Sequence, residues 1–405
     1  MGLADSQDLR VSFHPLQFRK DRDEWLAGRQ GNDRIVAVPK VGMAAMRLLA
    51  AGSTVEETRS RLRADIGRDL DVRAFVEQLA DAGLVASVGD RHFPFTPAPV
   101  SLPWIEPRHV RWVMSPVLHV VVLAIPLAGL LTLALSPRAM PSWSDLLWSD
   151  YGTFTLVVQC LVAWFLIGLH ELAHLGTARA AGVPGRVRLG TRLQFLVAQT
   201  EVSGIWLKSR RERLTVYLSG PALDGAIWGG CILAVALGVH HLLLPVVAMT
   251  LLASLANQCL VFMRTDLYFV VQDLTGCRNL YGDAGRYLRH VGARLAARPS
   301  QNPLRSLHDT ERRVLQVYAL ATAAGTLVCV FFGLRFLLDV SWPLLNRSVM
   351  HLYSGADPLV RLDALATVLL ITGLQALWVH LWWRRHADGV WAASRAVRRH
   401  LQSRS

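Results

Sequence analysis

From residue 112 to residue 382 the chain alternates long apolar runs with polar ones. Six runs stand out: 112–135, 153–176, 214–239, 242–263, 314–338 and 359–382. Each approaches or exceeds the ~20 apolar residues that a helix rising ~1.5 Å per residue needs to cross ~30 Å of hydrocarbon. Before residue 112 the rhythm is shorter. Segments 24–27 and 34–38 flank the turn-rich stretch 28–33, a hairpin pattern. An apolar helical period over 41–51 stops at Gly52. Ser53 with Glu56 forms a capping box for a helix over 54–64 that ends at Gly67. Asp71 caps a third helix over 72–82, with Gly83 as its stop. Segments 84–88 and 91–93 around Gly89-Asp90 complete a wing. The expected fold is therefore mainly α: a polytopic membrane domain of about six transmembrane helices, preceded by a small winged-helix-like α+β domain. Its parts are an N-terminal module over 1–93, a proline-rich linker over 94–111, the membrane domain over 112–382 and a basic tail over 383–405.

Composition supports this division. Hydrophobic residues make up 52% of the chain and charged residues 18%, a balance that points away from an ordinary soluble protein. The net charge is +13, but residues 1–107 hold 14 basic and 15 acidic side chains. The excess charge thus lies among the apolar runs, as for a chain facing an anionic leaflet, and nucleic acid is not an expected partner. Lys and Arg number one in 136–152, eight in 177–213, none in 240–241, nine in 264–313, one in 339–358 and six after residue 382. This alternation predicts a multi-pass protein of the cell membrane with both termini cytoplasmic. Five cysteines without paired spacing read as reduced thiols.

The second apolar run ends in His170-Glu171-Leu172-Ala173-His174. Residues four apart share a helix face, so both imidazoles can address one metal ion. Glu171, beside that face, can serve as a general base toward a metal-held water, and the donor types suit Zn2+. Ionisable groups in an apolar span are costly and mark function by default. His119 and His380 read as satisfied histidines, and His240-His241 lies at the far end of its span. Trp382-Trp383 with Arg384-Arg385 reads as an interfacial anchor, followed by a basic helix over 390–401. Between the second and third runs, 186–190, 193–198 and 200–202 look like short strands. They form either an edge that holds a substrate segment by strand addition or a plain hairpin at the membrane surface.

Three motifs together resemble the site-2-protease-type intramembrane zinc metalloproteases. They are His170-Glu171-Leu172-Ala173-His174; Ser219-Gly220-Pro221-Ala222-Leu223-Asp224, similar to the family's G-P-x-x-N element; and Arg264-Thr265-Asp266-Leu267-Tyr268-Phe269, similar to its D-G-Y region. The resemblance covers about 150–285, and residues 266–280 look most like the peptide-metalloprotease branch. It implies zinc held by His170, His174 and Asp266, with Glu171 catalytic. Asp224 is the rival third ligand, because Leu223-Asp224-Gly225 spells the family's L-D-G signature, whereas Leu267 stands where the family has glycine after the ligand aspartate. The N-terminal pattern resembles the PqqD-like modules that grip leader peptides. The implied substrate is a peptide, such as the leader of a ribosomally made modified peptide. The alternatives are a membrane-anchored regulator of anti-sigma type, or a non-catalytic peptide-binding or immunity role on a degenerate protease scaffold. Oligomeric state is not legible.

Overall fold

A computed structural model describes residues 9–29, 34–67, 69–95, 99–192, 195–277, 279–305, 307–354 and 357–402. The chain is mainly helical, with three small sheets. It divides into two compact units, Met1–Val120 with Glu171–Arg188 and Gln199–Gly220, and Val121–His170 with Leu189–Ala198 and Pro221–Ser405. The helix Gly152–Ala180 is continuous and contributes to both.

In the first unit, strands β1 (Val11–Phe13), β2 (Gln17–Asp21), β3 (Glu24–Gly28) and β4 (Val36–Pro39) precede helices α1 (Lys40–Ala50), α2 (Val55–Ile66) and α3 (Val72–Asp81). Strands β5 (Val85–Val88) and β6 (Arg91–His92) follow. They form two antiparallel sheets, β1-β5-β6 and β2-β3-β4. The expected pairing of 24–27 with 34–38 is present, with Trp25 opposite Val38 and Leu26 opposite Ala37. The turn at 30–33 lies outside the described residues. Val38, Leu49, Val76, Leu79, Leu84 and Val85 make a common core, each fully buried aliphatic side chain contributing about 1.5–3 kcal/mol.

The cap of α2 falls one residue later than expected. The Thr54 hydroxyl accepts from the Glu57 amide at 3.2 Å, and the Glu57 carboxylate accepts from the Thr54 amide at 2.9 Å. Ser53 is engaged elsewhere: its amide donates to the Leu48 carbonyl and closes α1 beyond Gly52, which sits at φ +92°. Gly67 and Asp71 act as expected, in the left-handed conformation at the end of α2 and as side-chain cap of α3. The proline-rich stretch after β6 is pinned at Ser101. The Ser101 amide donates to the Gly185 carbonyl, its hydroxyl accepts from the Val187 amide, and its carbonyl accepts from Arg179.

Among the described residues five helical stretches are long and apolar enough to cross a membrane: Pro116–Leu135, Gly152–Ala180, Arg210–Ala236, Asp309–Tyr353 and Pro358–Leu381. The run expected over 242–263 differs. It forms a 16-residue helix, Leu243–Gln258, followed by a 3-10 turn over Val261–Met263. At ~1.5 Å per residue this helix spans only ~24 Å. At its end the Cys259 and Leu260 amides turn to the Ala256 and Asn257 carbonyls, and the Thr265 hydroxyl satisfies the Gln258 carbonyl at 2.8 Å. The stretch 339–358, expected as a loop, is helical as far as Tyr353. Helix Asp309–Phe336 passes through a π-helical turn, Leu337–Ser341, into Trp342–Tyr353. In this turn the Trp342 amide reaches back to the Leu337 carbonyl, and Pro343, which has no amide to give the Asp339 carbonyl, follows directly. The tail helix expected over 390–401 is the end of one long helix, Pro358–Gln402.

Two contacts within the second unit fix helices that carry site residues. Gly129 on Pro116–Leu135 meets Gly229 on Arg210–Ala236 so closely that a Cβ on Gly229 would stand 2.6 Å from the Ile125 carbonyl oxygen. Small residues of this kind let helix backbones approach in apolar surroundings. At the start of Gly152–Ala180, the Asp363 carboxylate accepts from the Gly152 and Thr153 amides at 2.7 and 3.1 Å. A side chain from the last long helix thereby caps the helix that carries the histidines.

Candidate metal centre

His170 and His174 lie one turn apart on Gly152–Ala180 and are buried, at 8% and 6% exposure. One ring nitrogen of each and one carboxylate oxygen of Asp266 lie within 4.8 Å of one another. This group can hold a metal ion, and among the described residues no other cluster of three or more His, Cys, Asp or Glu does so.

The hydrogen bonds around the imidazoles define which nitrogen would ligate. Nδ1 of His170 lies 2.9 Å from Oδ2 of Asp224, and Nδ1 of His174 lies 2.7 Å from the Val216 carbonyl oxygen. Both partners only accept, so Nδ1–H donates in each ring, and Nε2 is the nitrogen that would be left to a metal. Nε2 of His170 faces Oδ2 of Asp266 at 3.1 Å. That separation is a hydrogen bond, so Nε2–H also donates in the metal-free ring, and a metal shared by the two groups would take that proton's place. An Nδ1–H tied to a carboxylate or a backbone carbonyl is the usual outer support of a metal-ligating histidine. The donor set and its surroundings thus fit a divalent metal of the zinc type.

Asp266 and Asp224 occupy different positions. Asp266 is the first residue of helix Asp266–Thr275, entered through Arg264, which adopts a left-handed conformation at φ +56°. Leu267 lies inside that helix, where no glycine is required. Gln258 clamps Asp266 reciprocally: its Nε2 donates to Oδ2 at 2.9 Å and its Oε1 accepts from the Asp266 amide at 3.1 Å. Asp224, on Arg210–Ala236, is 2% exposed. Its Oδ2 accepts from His170 and from the Ser254 hydroxyl, the latter at 2.9 Å. The structure therefore groups Asp266 with the imidazoles and sets Asp224 behind His170, on the ring nitrogen turned away from Asp266.

Glu171 is buried, and its Oε2 accepts from the Thr200 hydroxyl at 2.7 Å. Thr200 belongs to strand Phe195–Glu201, which pairs with Arg186–Arg192 in a two-stranded sheet; the segments expected as separate strands over 193–198 and 200–202 run together in this one strand. His119 is satisfied as expected, with Nε2 2.9 Å from the Val113 carbonyl. Sequence reasoning missed Ser254, Gln258, Thr200 and the Val216 carbonyl. The signal for the first pair was present: two polar residues four apart on an apolar helix. No protein family, curated protein or solved structure matches this chain.

Proposed function

We propose that this protein is a membrane-embedded zinc metalloprotease that hydrolyses a peptide or membrane-associated substrate. The observation that carries the reading is the His170, His174 and Asp266 group, with Nδ1 of both rings already committed to outer acceptors. His170, His174 and Asp266 would hold the metal. When bound, zinc supplies Lewis acidity and lowers the pKa of water to about 7. Glu171, adjacent to His170 and oriented by Thr200, takes a proton from the attacking water and returns it to the leaving amine. Five helices of spanning length support a location in the cell membrane.

The N-terminal module would recruit the substrate. Its three helices and two small sheets are consistent with a winged-helix-like, peptide-gripping domain. A cleft of about 350 Å³ lined by Phe13, Leu16, Trp25, Met43, Met46 and Arg47 offers an apolar floor with one cation at its edge. That chemistry suits an apolar peptide segment with a nearby acid, such as the leader of a ribosomally made peptide.

The test is proteolysis of a pool of internally quenched peptides by full-length protein in detergent. Glu171→Gln should keep its zinc and lower turnover at least ~100-fold, the scale of general acid–base catalysis. Full turnover by Glu171→Gln would remove the hydrolase mechanism. Absence of any cleavage by zinc-loaded parent protein would favour a non-catalytic peptide-binding role.

A further inference from the structure

Helix Leu243–Gln258 supplies no ligand, yet it touches both carboxylates that bracket His170. Ser254 donates to Oδ2 of Asp224 at 2.9 Å, and Gln258 donates to Oδ2 of Asp266 at 2.9 Å. The two residues are four apart and so share one face of the helix. The rest of that helix is mostly apolar, and its other hydroxyl of this kind, Thr250, bonds back to its own helix at the Val246 carbonyl. Two donors on one apolar helix therefore reach two acids that lie on opposite ring nitrogens of one histidine.

The physical need is clear for each acid. Asp224 is almost completely buried, and a buried carboxylate requires hydrogen-bond donors. With Ser254 in place, Oδ2 of Asp224 holds Nδ1–H of His170 and thereby turns Nε2 toward Asp266. Gln258 fixes Asp266 from two sides, through its side-chain amide and through the Asp266 backbone amide. Groups that hold metal ligands in this way commonly alter metal affinity 10–100-fold.

We propose that Ser254 and Gln258 are positioning residues that set the zinc affinity of the site by fixing Asp224 and Asp266 on either side of His170. The proposal rests on the metal-centre reading above, and its readout is affinity rather than turnover.

The experiment uses full-length protein in detergent, stripped with chelator and titrated with Zn2+ against a chromophoric chelator. The visible spectrum of Co2+ added in place of zinc is a second readout. Ser254→Ala and Gln258→Leu should each weaken zinc about tenfold or more and change the cobalt spectrum. Ser254→Thr keeps the hydroxyl and should restore affinity, and Thr250→Ala should leave it unchanged. Gln258→Glu, which places an acceptor against Asp266, serves as a second variant should Gln258→Leu lose its helical circular-dichroism signal. Zinc-binding parent protein with unchanged affinity in folded Ser254→Ala and Gln258→Glu overturns this proposal alone. A folded parent that takes up no zinc overturns the metal-centre reading itself.

Discussion

His170 has a carboxylate on each ring nitrogen, and the two should respond differently to truncation. In the proposed metal centre Asp266→Ala removes a ligand, so zinc should be lost on dialysis. Asp224→Asn keeps the ligand set but gives Nδ1–H a weaker acceptor, so zinc should persist with affinity reduced about 10–100-fold. Chelator competition separates the two outcomes, and the reverse order would exchange their roles. The imidazole pair and Glu171 were legible in the sequence because helical spacing alone puts them on adjoining faces. Asp266 was legible too, through its D-G-Y-like surroundings, and it does group with the imidazoles; the place of Asp224 behind His170 was not, because it depends on ring orientation. A second residue-scale expectation concerns pH. Two hydrogen bonds from Arg59, at 2.7 and 2.6 Å, hold the Asp69 carboxyl below its usual range. A depressed carboxyl stabilises the fold above its unfolded value of about 3.9 and loses that contribution as pH falls through the folded value. The pair is fully exposed, so the effect is small. Arg59→Ala should melt slightly below the parent at pH 7, and the difference should shrink as pH falls below about 3.9; an unchanged gap across the titration would contradict this.

At the scale of the element, helix Gly152–Ala180 is held at its start by a side chain distant in sequence. Asp363 caps its first turn. The histidines begin 18 residues later, ~27 Å along the axis at ~1.5 Å per residue. Asp363→Ala should therefore cost about 1–2 kcal/mol in thermal unfolding and leave zinc affinity unchanged; a parallel loss of zinc would show that the cap also aligns the site. In the N-terminal module, Thr54→Ala should cost about 1 kcal/mol and Ser53→Ala much less. The opposite ranking would restore Ser53 as the cap. The sequence placed a cap here correctly to within one residue. The error came from the closure of the preceding helix, since the Ser53 amide bonds to the Leu48 carbonyl five residues back. Leu243–Gln258 was overextended for a different reason. Leu260 to Met263 are as apolar as the helix before them, and hydropathy does not register the Cys259 and Leu260 amides turning to the Ala256 and Asn257 carbonyls.

For the molecule as a whole, the apolar runs gave five helices of spanning length and one shorter helix, along with the small sheet that carries Thr200. A mixed polar and apolar stretch that continues as helix, 342–353, was invisible to a reading that ends each span where its unbroken apolar run ends. Helix packing was also hidden, because Gly129 and Gly229 are far apart in sequence and meaningful only as a pair. Gly229→Val should cost about 1–3 kcal/mol through overpacking, read as a lowered melting temperature in detergent; an unchanged melting temperature would mean that the close approach is dispensable. The central claim is that two imidazoles and one acid hold a metal. It is tested most directly by the metal content of full-length protein purified without chelator, measured by plasma mass spectrometry beside a His170→Ala, His174→Ala double variant. One equivalent of zinc per chain is expected in the parent and none in the variant. A folded parent devoid of metal, or a double variant that retains the full equivalent, would contradict it.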